Sequence, residues 1–284
     1  MSAAYAFRLV NVFAEERLGG NPLAVFEDGR GLDDATMQAL ALQFNLSETT
    51  FILPSTRAAA RVRIFTPTFE MPFAGHPTLG TAHVVRALRR GDAQTLEMSA
   101  GIIPVRARGD EWTLQANAPR TRPVAATRED LAAMLGLEPG EVGSNPLWVD
   151  TGSEQLVIPL AHAGAVSRCE PKAELLARHG SVTLPGGGSR AMAYVWADAG
   201  PGAVLARFFF PKYGAVIEDP GTGSAAANLG GWLVATGAPR PQTRSIAQGE
   251  AVGRRCRLGL RVDAGGQIFV SGRVIELGRG TIAL

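Results

Sequence analysis

Arg63-Ile64-Phe65-Thr66-Pro67, followed by Gly75-His76-Pro77-Thr78-Leu79-Gly80-Thr81-Ala82, decides the fold because the chain writes this pattern twice. The second copy is Arg207-Phe208-Phe209-Phe210-Pro211, followed by Gly221-Thr222-Gly223-Ser224-Ala225-Ala226. In each copy a strand-like run leads to a glycine turn, then to a helix with almost no polar face. A further glycine, Gly101 or Gly249, then precedes a strand. The first helix has Leu79, Ala82, Val84 and Val85 before its first charged residue, Arg86. The second has Ala225, Ala226, Ala227, Leu229, Trp232, Leu233 and Val234 over most of its circumference. A helix that is apolar all round is a buried helix. Pro77 is expected at the first helical position and Gly91 just past the end. The second helix is expected to begin at Ser224 and to stop at Gly237. Gly230 and Gly231 inside it each cost ~1 kcal/mol relative to alanine, and close packing in a crowded interior is the usual compensation.

Outward from these helices, strand-like runs lie at 6–13, 22–26, 50–53, 61–66, 95–98, 102–106 and 112–115 in the first half. In the second half they lie near 148–149, 156–158, 191–196, 204–210, 257–262, 268–270 and 274–277. Asp33 caps a helix with Met37, Leu40, Ala41 and Phe44 on one face. Thr127 and Asp130 form a capping-box pattern opening a helix to about residue 135, and a weaker helix is expected over 173–179. Upstream, Ser47-Glu48-Thr49-Thr50-Phe51-Ile52 is matched to Ser153-Glu154-Gln155-Leu156-Val157-Ile158. A twofold repeat predicts two similar domains. The expected fold class is α+β: two pseudo-symmetric domains, each a mostly antiparallel, barrel-like sheet wrapped around a central hydrophobic helix. Residues 117–124, rich in Pro and Arg, are read as a linker. The expected division is 1–121 and 122–284, with the C-terminal strand free to cross back to the first domain.

Composition removes several function classes. The chain has 284 residues, 46% hydrophobic, with 28 basic and 26 acidic side chains, so its net charge is +2. Such a balance is not built around a polyanion, and no nucleic-acid partner is expected. Lys172 and Lys212 are the only lysines. No apolar run approaches the ~18 residues that span a bilayer, and the first residues have no signal-peptide pattern. With two isolated cysteines, Cys169 and Cys256, a disulfide scaffold, a zinc ribbon and a CxxC redox motif are set aside, and a cytoplasmic protein is expected. His83, His162 and His179 lack metal-ligand spacing, so no metal is expected. Gly186-Gly187-Gly188-Ser189 lacks the lysine and helix of a P-loop and reads as a hairpin. No GxGxxG follows a strand and no nucleophile elbow is present, so no nucleotide cofactor is expected.

What remains is chemistry at the helix mouths. Gly75-His76 opens the first helix, and Asp219-Pro220-Gly221-Thr222-Gly223-Ser224 opens the second. Unpaired N–H groups and the positive end of the dipole make such positions suited to an anion. Ordinary N-capping by His76 and Ser224 accounts for the same residues. Glu48 precedes an apolar strand, either at its solvent end or held out of water as an acid/base. Asp219 is open to the plainer reading of a turn acid before Pro220.

The motifs Gly20-Asn21-Pro22-Leu23-Ala24-Val25, Asn45-Leu46-Ser47-Glu48-Thr49-Thr50-Phe51, Arg63-Ile64-Phe65-Thr66-Pro67, Gly75-His76-Pro77-Thr78-Leu79-Gly80-Thr81-Ala82 and Glu218-Asp219-Pro220-Gly221-Thr222-Gly223-Ser224-Ala225 resemble the PhzF-like phenazine-biosynthesis family. The resemblance runs essentially end to end. It implies a fold related to diaminopimelate epimerase and proline racemase, a cleft between two domains, and a homodimer. It also implies a cofactor-independent isomerase similar to trans-2,3-dihydro-3-hydroxyanthranilate isomerase, with a small carboxylate-bearing substrate. By resemblance Glu48 is the proton-shuttling acid/base, with His76, Asp219 and Ser224 as active-site companions. Gly75 and Gly223 offer backbone N–H groups, and Thr222 lies beside them at the substrate. The epimerase relatives hold a pair of cysteines at the helix mouths. Here those places carry His76 and Thr222, which disfavours a two-thiol racemase. An epimerase or racemase of a small amino or hydroxy acid is the alternative enzyme reading, and a non-catalytic binder of anionic metabolites is the alternative outside catalysis. Gly221 departs mildly from the family's usual Ala or Val.

Overall fold

Burial on every side is what the two apolar helices require, and the strands packed around each of them supply it. The structure is a computed structural model that describes residues 3–183, 187–212 and 214–284. The chain forms two units, Met1–Gln115 with Ser271–Leu284, and Ala116–Val270.

In the first unit the elements are β1 (Ala4–Val12), β2 (Asn21–Phe26), α1 (Asp34–Phe44), β3 (Glu48–Leu53), β4 (Ala60–Phe65) and β5 (Glu70–Met71). They continue with α2 (Gly75–Arg89), β6 (Ala93–Met98), β7 (Gly101–Arg108) and β8 (Glu111–Gln115). Antiparallel ladders join β1 to β2, β3 to β4, β6 to β7 and β7 to β8. The β2–β3 and β4–β6 pairs are parallel. A parallel pair needs a crossover connection, and α1 and α2 are those crossovers. The last strand of the chain, Ile268–Ala283, pairs with both β1 and β8, which closes the ring into a barrel. Inside it α2 is buried continuously from Gly75 to Ala82.

The second unit contains β9 (Arg120–Pro123), α3 (Arg128–Leu135), β10 (Leu147–Asp150), β11 (Glu154–Pro159), α4 (Ala163–Arg168) and α5 (Ala173–His179). After these come β12 (Ser181–Thr183), β13 (Ser189–Ala191), β14 (Ala193–Gly200), β15 (Ala203–Lys212) and β16 (Ala215–Asp219). The unit then runs through α6 (Gly223–Ala235), β17 (Gln242–Gln248), β18 (Cys256–Val262) and the first residues of the last strand, β19 (Ile268–Ala283). The pattern repeats: β11–β14 and β15–β17 are parallel, and α6 is the buried crossover of the latter pair.

The glycines inside the helices are explained by contact. A Cβ on Gly80 would lie 2.6 Å from Leu23 Cδ2, and one on Gly230 would lie 2.6 Å from Ile268 Cγ2. A Cβ on Gly231 would meet Val149 at 2.7 Å. The helix–sheet approach therefore uses the space that any side chain would need, which offsets the propensity cost.

Several expectations are corrected. The boundary falls at 115/116 rather than 121/122, because residues 120–123 are not a linker but strand β9, paired with β10. Residues 271–284, provisionally counted with the second domain, close the first barrel as part of one long strand rather than two short ones. Helix α2 begins at Gly75, so Pro77 is its third residue. It is tolerated there because the first four N–H groups have no intrahelical partner. Helix α6 begins at Gly223 and ends at Ala235. The short helix α4 was not anticipated; His162 caps it, its Nδ1 accepting from the Ala165 N–H. Gly186 lies outside the described residues, while Ser189 begins β13, which pairs antiparallel with β12.

The upstream part of the repeat also changes. Arg63 sits on β4, whose antiparallel partner β3 carries Glu48. Arg207 sits on β15, whose corresponding partner is β14, not the strand at 154–159. In the ladders Thr49 opposes Phe65 and Ala193 opposes Phe209. The residue preceding Thr49 is Glu48; the residue preceding Ala193 is Met192, which is buried.

Candidate active site

Within the first unit, the start of β3 brings Glu48 alongside β2, where it is the parallel register partner of Leu23. Helix α2 brings His76 to the same strand. His76 Nε2 lies 3.3 Å from the Pro22 carbonyl oxygen, and His76 Nδ1 lies 3.0 Å from Glu48 Oε2. The imidazole is 4% exposed and the carboxylate side chain 15% exposed, so the pair is largely dry yet not sealed. A carbonyl oxygen only accepts, so Nε2 is the donor to Pro22. The other nitrogen then faces a carboxyl oxygen, and that contact is attractive only when one proton lies between them. The arrangement sets a carboxyl group and an imidazole nitrogen 3.0 Å apart at the edge of an apolar barrel, the residue types a general acid/base uses. Thr50 and Thr81, both fully buried, join their hydroxyls at 2.8 Å and tie the Glu48 strand to the His76 helix.

The second unit assembles Asp219, Thr222 and Ser224 differently. Asp219 ends β16, and Thr222 is the residue just before α6. The Thr222 hydroxyl donates to Asp219 Oδ2 at 2.5 Å. Gln248, buried at the end of β17, holds the turn: its Oε1 accepts from the Thr222 N–H at 3.3 Å. Its Nε2 donates to the Asp219 carbonyl at 2.9 Å and to Thr222 Oγ1 at 3.0 Å. Ser224, partly exposed, receives a hydrogen bond from Gln155 Nε2 at 2.9 Å.

Neither helix mouth is capped by a side chain. The N-cap residues are Ala74 and Thr222, and no side-chain cap bond is made at either. His76 and Ser224 therefore serve other partners, and the N-capping account does not apply. Gly75 and Gly223 are the first residues of α2 and α6, both buried, so their N–H groups stand among the unpaired donors of a helix start. Three functional-looking residues escaped the sequence reading: Gln155, Asn228 and Gln248. A buried amide inside an apolar run was their only signal.

The cysteines take no part in this geometry. Burial pushes the Cys169 thiol up to about 12, and its Sγ donates to the Ala165 carbonyl. Burial, with Asp219 adding to it, also raises Cys256. Thiols held protonated are poor bases. Among the described residues, no group of three or more His, Cys, Asp or Glu side chains is arranged to hold a metal. No helix among the described residues is long and apolar enough to cross a membrane.

Residues 10–277 match the family described as phenazine biosynthesis-like protein. The chain belongs to that PhzF family. An uncharacterized isomerase of Pasteurella multocida is 39% identical over 99% of this chain and 95% of its own length. The trans-2,3-dihydro-3-hydroxyanthranilate isomerase of Pseudomonas aeruginosa is 34% identical over 93% of this chain and 92% of its own. Among solved structures, a PhzF-family phenazine biosynthesis protein of Bacillus anthracis superposes with a TM-score of 0.85 at 23% identity, covering 99% of this chain and 100% of that one. A hydroxyproline epimerase from Agrobacterium vitis gives a TM-score of 0.67 at 14% identity, covering 99% and 91%. The two structural likenesses speak for the fold, which PhzF proteins and the epimerases share. The class of reaction follows from the family and its named relatives: this PhzF-family chain is an isomerase.

Proposed function

We propose that the protein moves a proton between two carbons of a small carboxylate-bearing substrate, without cofactor or metal. The reading is carried by the largely buried Glu48–His76 pair, Oε2 3.0 Å from Nδ1, with Nε2 committed to Pro22. Glu48 takes the proton from one carbon. The electron pair of that C–H bond enters the neighbouring double-bond system, and Glu48 returns the proton to another carbon of the same molecule. The net change is migration of a double bond, with atoms and electrons conserved. His76 orients the carboxyl group and exchanges the proton with it. Asp219 and Ser224 position the substrate, Thr222 holds Asp219, and the N–H groups of Gly75 and Gly223 stabilise charge that develops on the substrate oxygens.

The anthranilate-type substrate named for the Pseudomonas relative is the first compound to try. The experiment is NMR of trans-2,3-dihydro-3-hydroxyanthranilate and other small unsaturated carboxylates in D2O. Wild type is expected to give a shifted double bond with deuterium entering the product. Glu48→Gln is expected to give neither, and equal deuterium incorporation by both proteins removes Glu48 from the mechanism. The epimerase alternative predicts inversion at one centre without double-bond movement, which chiral analysis of the same samples reads. It is disfavoured because an epimerase needs a base on each face, and both thiols are raised by burial. A homodimer in the cytoplasm belongs to the same proposal, and light scattering of the purified protein tests the dimer.

A further inference from the structure

The hydroxyl of Ser224 sits at the end of a chain of amides whose direction is set by two backbone groups. The Thr151 N–H, which only donates, meets Asn228 Oδ1 at 2.9 Å, and the Thr151 hydroxyl donates to the same oxygen at 2.7 Å. The Ser153 carbonyl, which only accepts, meets Asn228 Nδ2 at 2.8 Å. The Asn228 amide therefore has one orientation. Its Nδ2 also donates to Gln155 Oε1 at 2.8 Å, which fixes the Gln155 amide in turn. Gln155 must then present Nε2 to Ser224, and it does so at 2.9 Å. Asn228 is fully buried and Gln155 is 3% exposed, so water does not compete for these bonds.

The consequence falls on Ser224. Its oxygen is already an acceptor, so its own proton cannot point at Gln155. We propose that Gln155 and Asn228 are positioning residues that turn the Ser224 proton away from Gln155, which favours Ser224 as a hydrogen-bond donor to an acceptor oxygen of the substrate. This rests on the reading of Ser224 as a substrate-contacting residue. A hydroxyl free to rotate would serve donors and acceptors alike. A hydroxyl with one lone pair taken by a buried amide has only one lone pair left for a ligand donor and fewer positions for its proton, so it leans toward acceptor oxygens and has already lost part of its rotational freedom. No charge is involved, so the preference holds across pH.

Two measurements test it. The first is neutron diffraction from crystals of the perdeuterated wild-type protein, which needs neither a variant nor a substrate. Nuclear density is expected to place two deuterons on Gln155 Nε2 and on Asn228 Nδ2, with the Ser224 deuteron pointing away from Gln155. A deuteron lying between Ser224 Oγ and Gln155, donated by Ser224, overturns the proposal. The second is calorimetric binding of anthranilate and of neutral anthranilamide to wild type, Gln155→Glu and Gln155→Met. In Gln155→Glu the carboxylate accepts from both Asn228 and Ser224, turning the Ser224 proton inward. Both probes are expected to bind about 10- to 100-fold more weakly to it, against about 2- to 10-fold for Gln155→Met, which only loses direction. Loss of anthranilate alone marks charge repulsion and overturns the proposal, as do equal losses in the two variants. If Ser224→Ala binds both probes as wild type does while the neutron map shows the outward deuteron, the relay stands and the substrate role given to Ser224 falls.

Discussion

The two units build one device in common and then part. In the first, Arg63 lies 4.9 Å from the Phe65 ring centre and donates through Nε and Nη2 to Glu70, the residue that opposes Phe65 across the ladder. In the second, Arg207 lies 4.7 Å from the Phe209 ring and donates through Nε and Nη2 to Glu218, which opposes Phe209. Each device anchors the short strand ahead of a buried helix. Beyond it the units diverge. The position next to the ladder is Glu48 in one and the apolar Met192 in the other. The first unit therefore sets a carboxyl group against an imidazole, while the second ties the Thr222 and Ser224 hydroxyls into bonds with Asp219, Gln248 and Gln155. On the proposed function, the duplicated scaffold divides into a part that exchanges protons and a part that holds the ligand.

Removing the mobile proton has the largest expected effect. Glu48→Gln is expected to lower kcat by about 10²- to 10⁴-fold, the range for a general acid/base. Gln248→Leu, which releases the Asp219 turn without touching a titratable group, is expected to lower kcat/KM by only about 10-fold, close to the worth of one or two hydrogen bonds. Steady-state kinetics on any substrate that turns over decides this, and equal losses would erase the division of labour.

Stability sharpens the shared device. Arg207 and Glu218 side chains are 15% and 5% exposed, and Arg207 Nη1 also donates to the Cys169 carbonyl at 2.8 Å. Arg207→Met strands a buried carboxylate and is expected to cost about 3–5 kcal/mol. Glu70 is 32% exposed and Asp34 84% exposed, so Arg63→Met is expected to cost about 1 kcal/mol. Urea melts of both variants check the ratio.

A smaller effect separates the helices themselves. Burial, with Arg86 one turn on, pushes His83 of α2 below the ordinary imidazole value, whereas α6 has no histidine. The folded state then binds fewer protons than the unfolded chain in the window below about pH 6.5. Stability is accordingly expected to fall as pH is lowered through that window, by at most about 1.4 kcal/mol per pH unit and less once solvent screening is allowed for. Thermal melts of wild type and His83→Gln from pH 7 to 5 test the sign: the variant is expected to lose less. The smallest change, Thr127→Ala, opens the capping box of α3 and is expected to cost ~1 kcal/mol in the second unit alone.

Local chemistry was readable in the sequence. Asp33 and Thr127 act on N–H groups three residues away, so their caps follow from adjacency. The buried helices declared themselves by having nowhere to face water. Pairing across a crossover was harder: β11 and β14 are parallel neighbours, and nothing local says which of them meets the Arg207 strand. That ambiguity is what set the 154–159 run against Glu48. The proline- and arginine-rich 120–123 run looked like a linker because edge strands tolerate both residues. At the site, Glu48 and His76 stood out by residue type. Gln155, Asn228 and Gln248 did not, since an amide's meaning lies in which way it is turned, and only its partners decide that.

The returning strand also sets a timetable. Residues 271–284 are made after residues 116–270, yet they supply the stave between β1 and β8. The unit translated first must therefore wait with two open seams while residues 116–270 emerge behind it. Loss of residues 271–284 would strand that early half unfinished, and the exposed seams are where a stalled or clipped chain would start to clump.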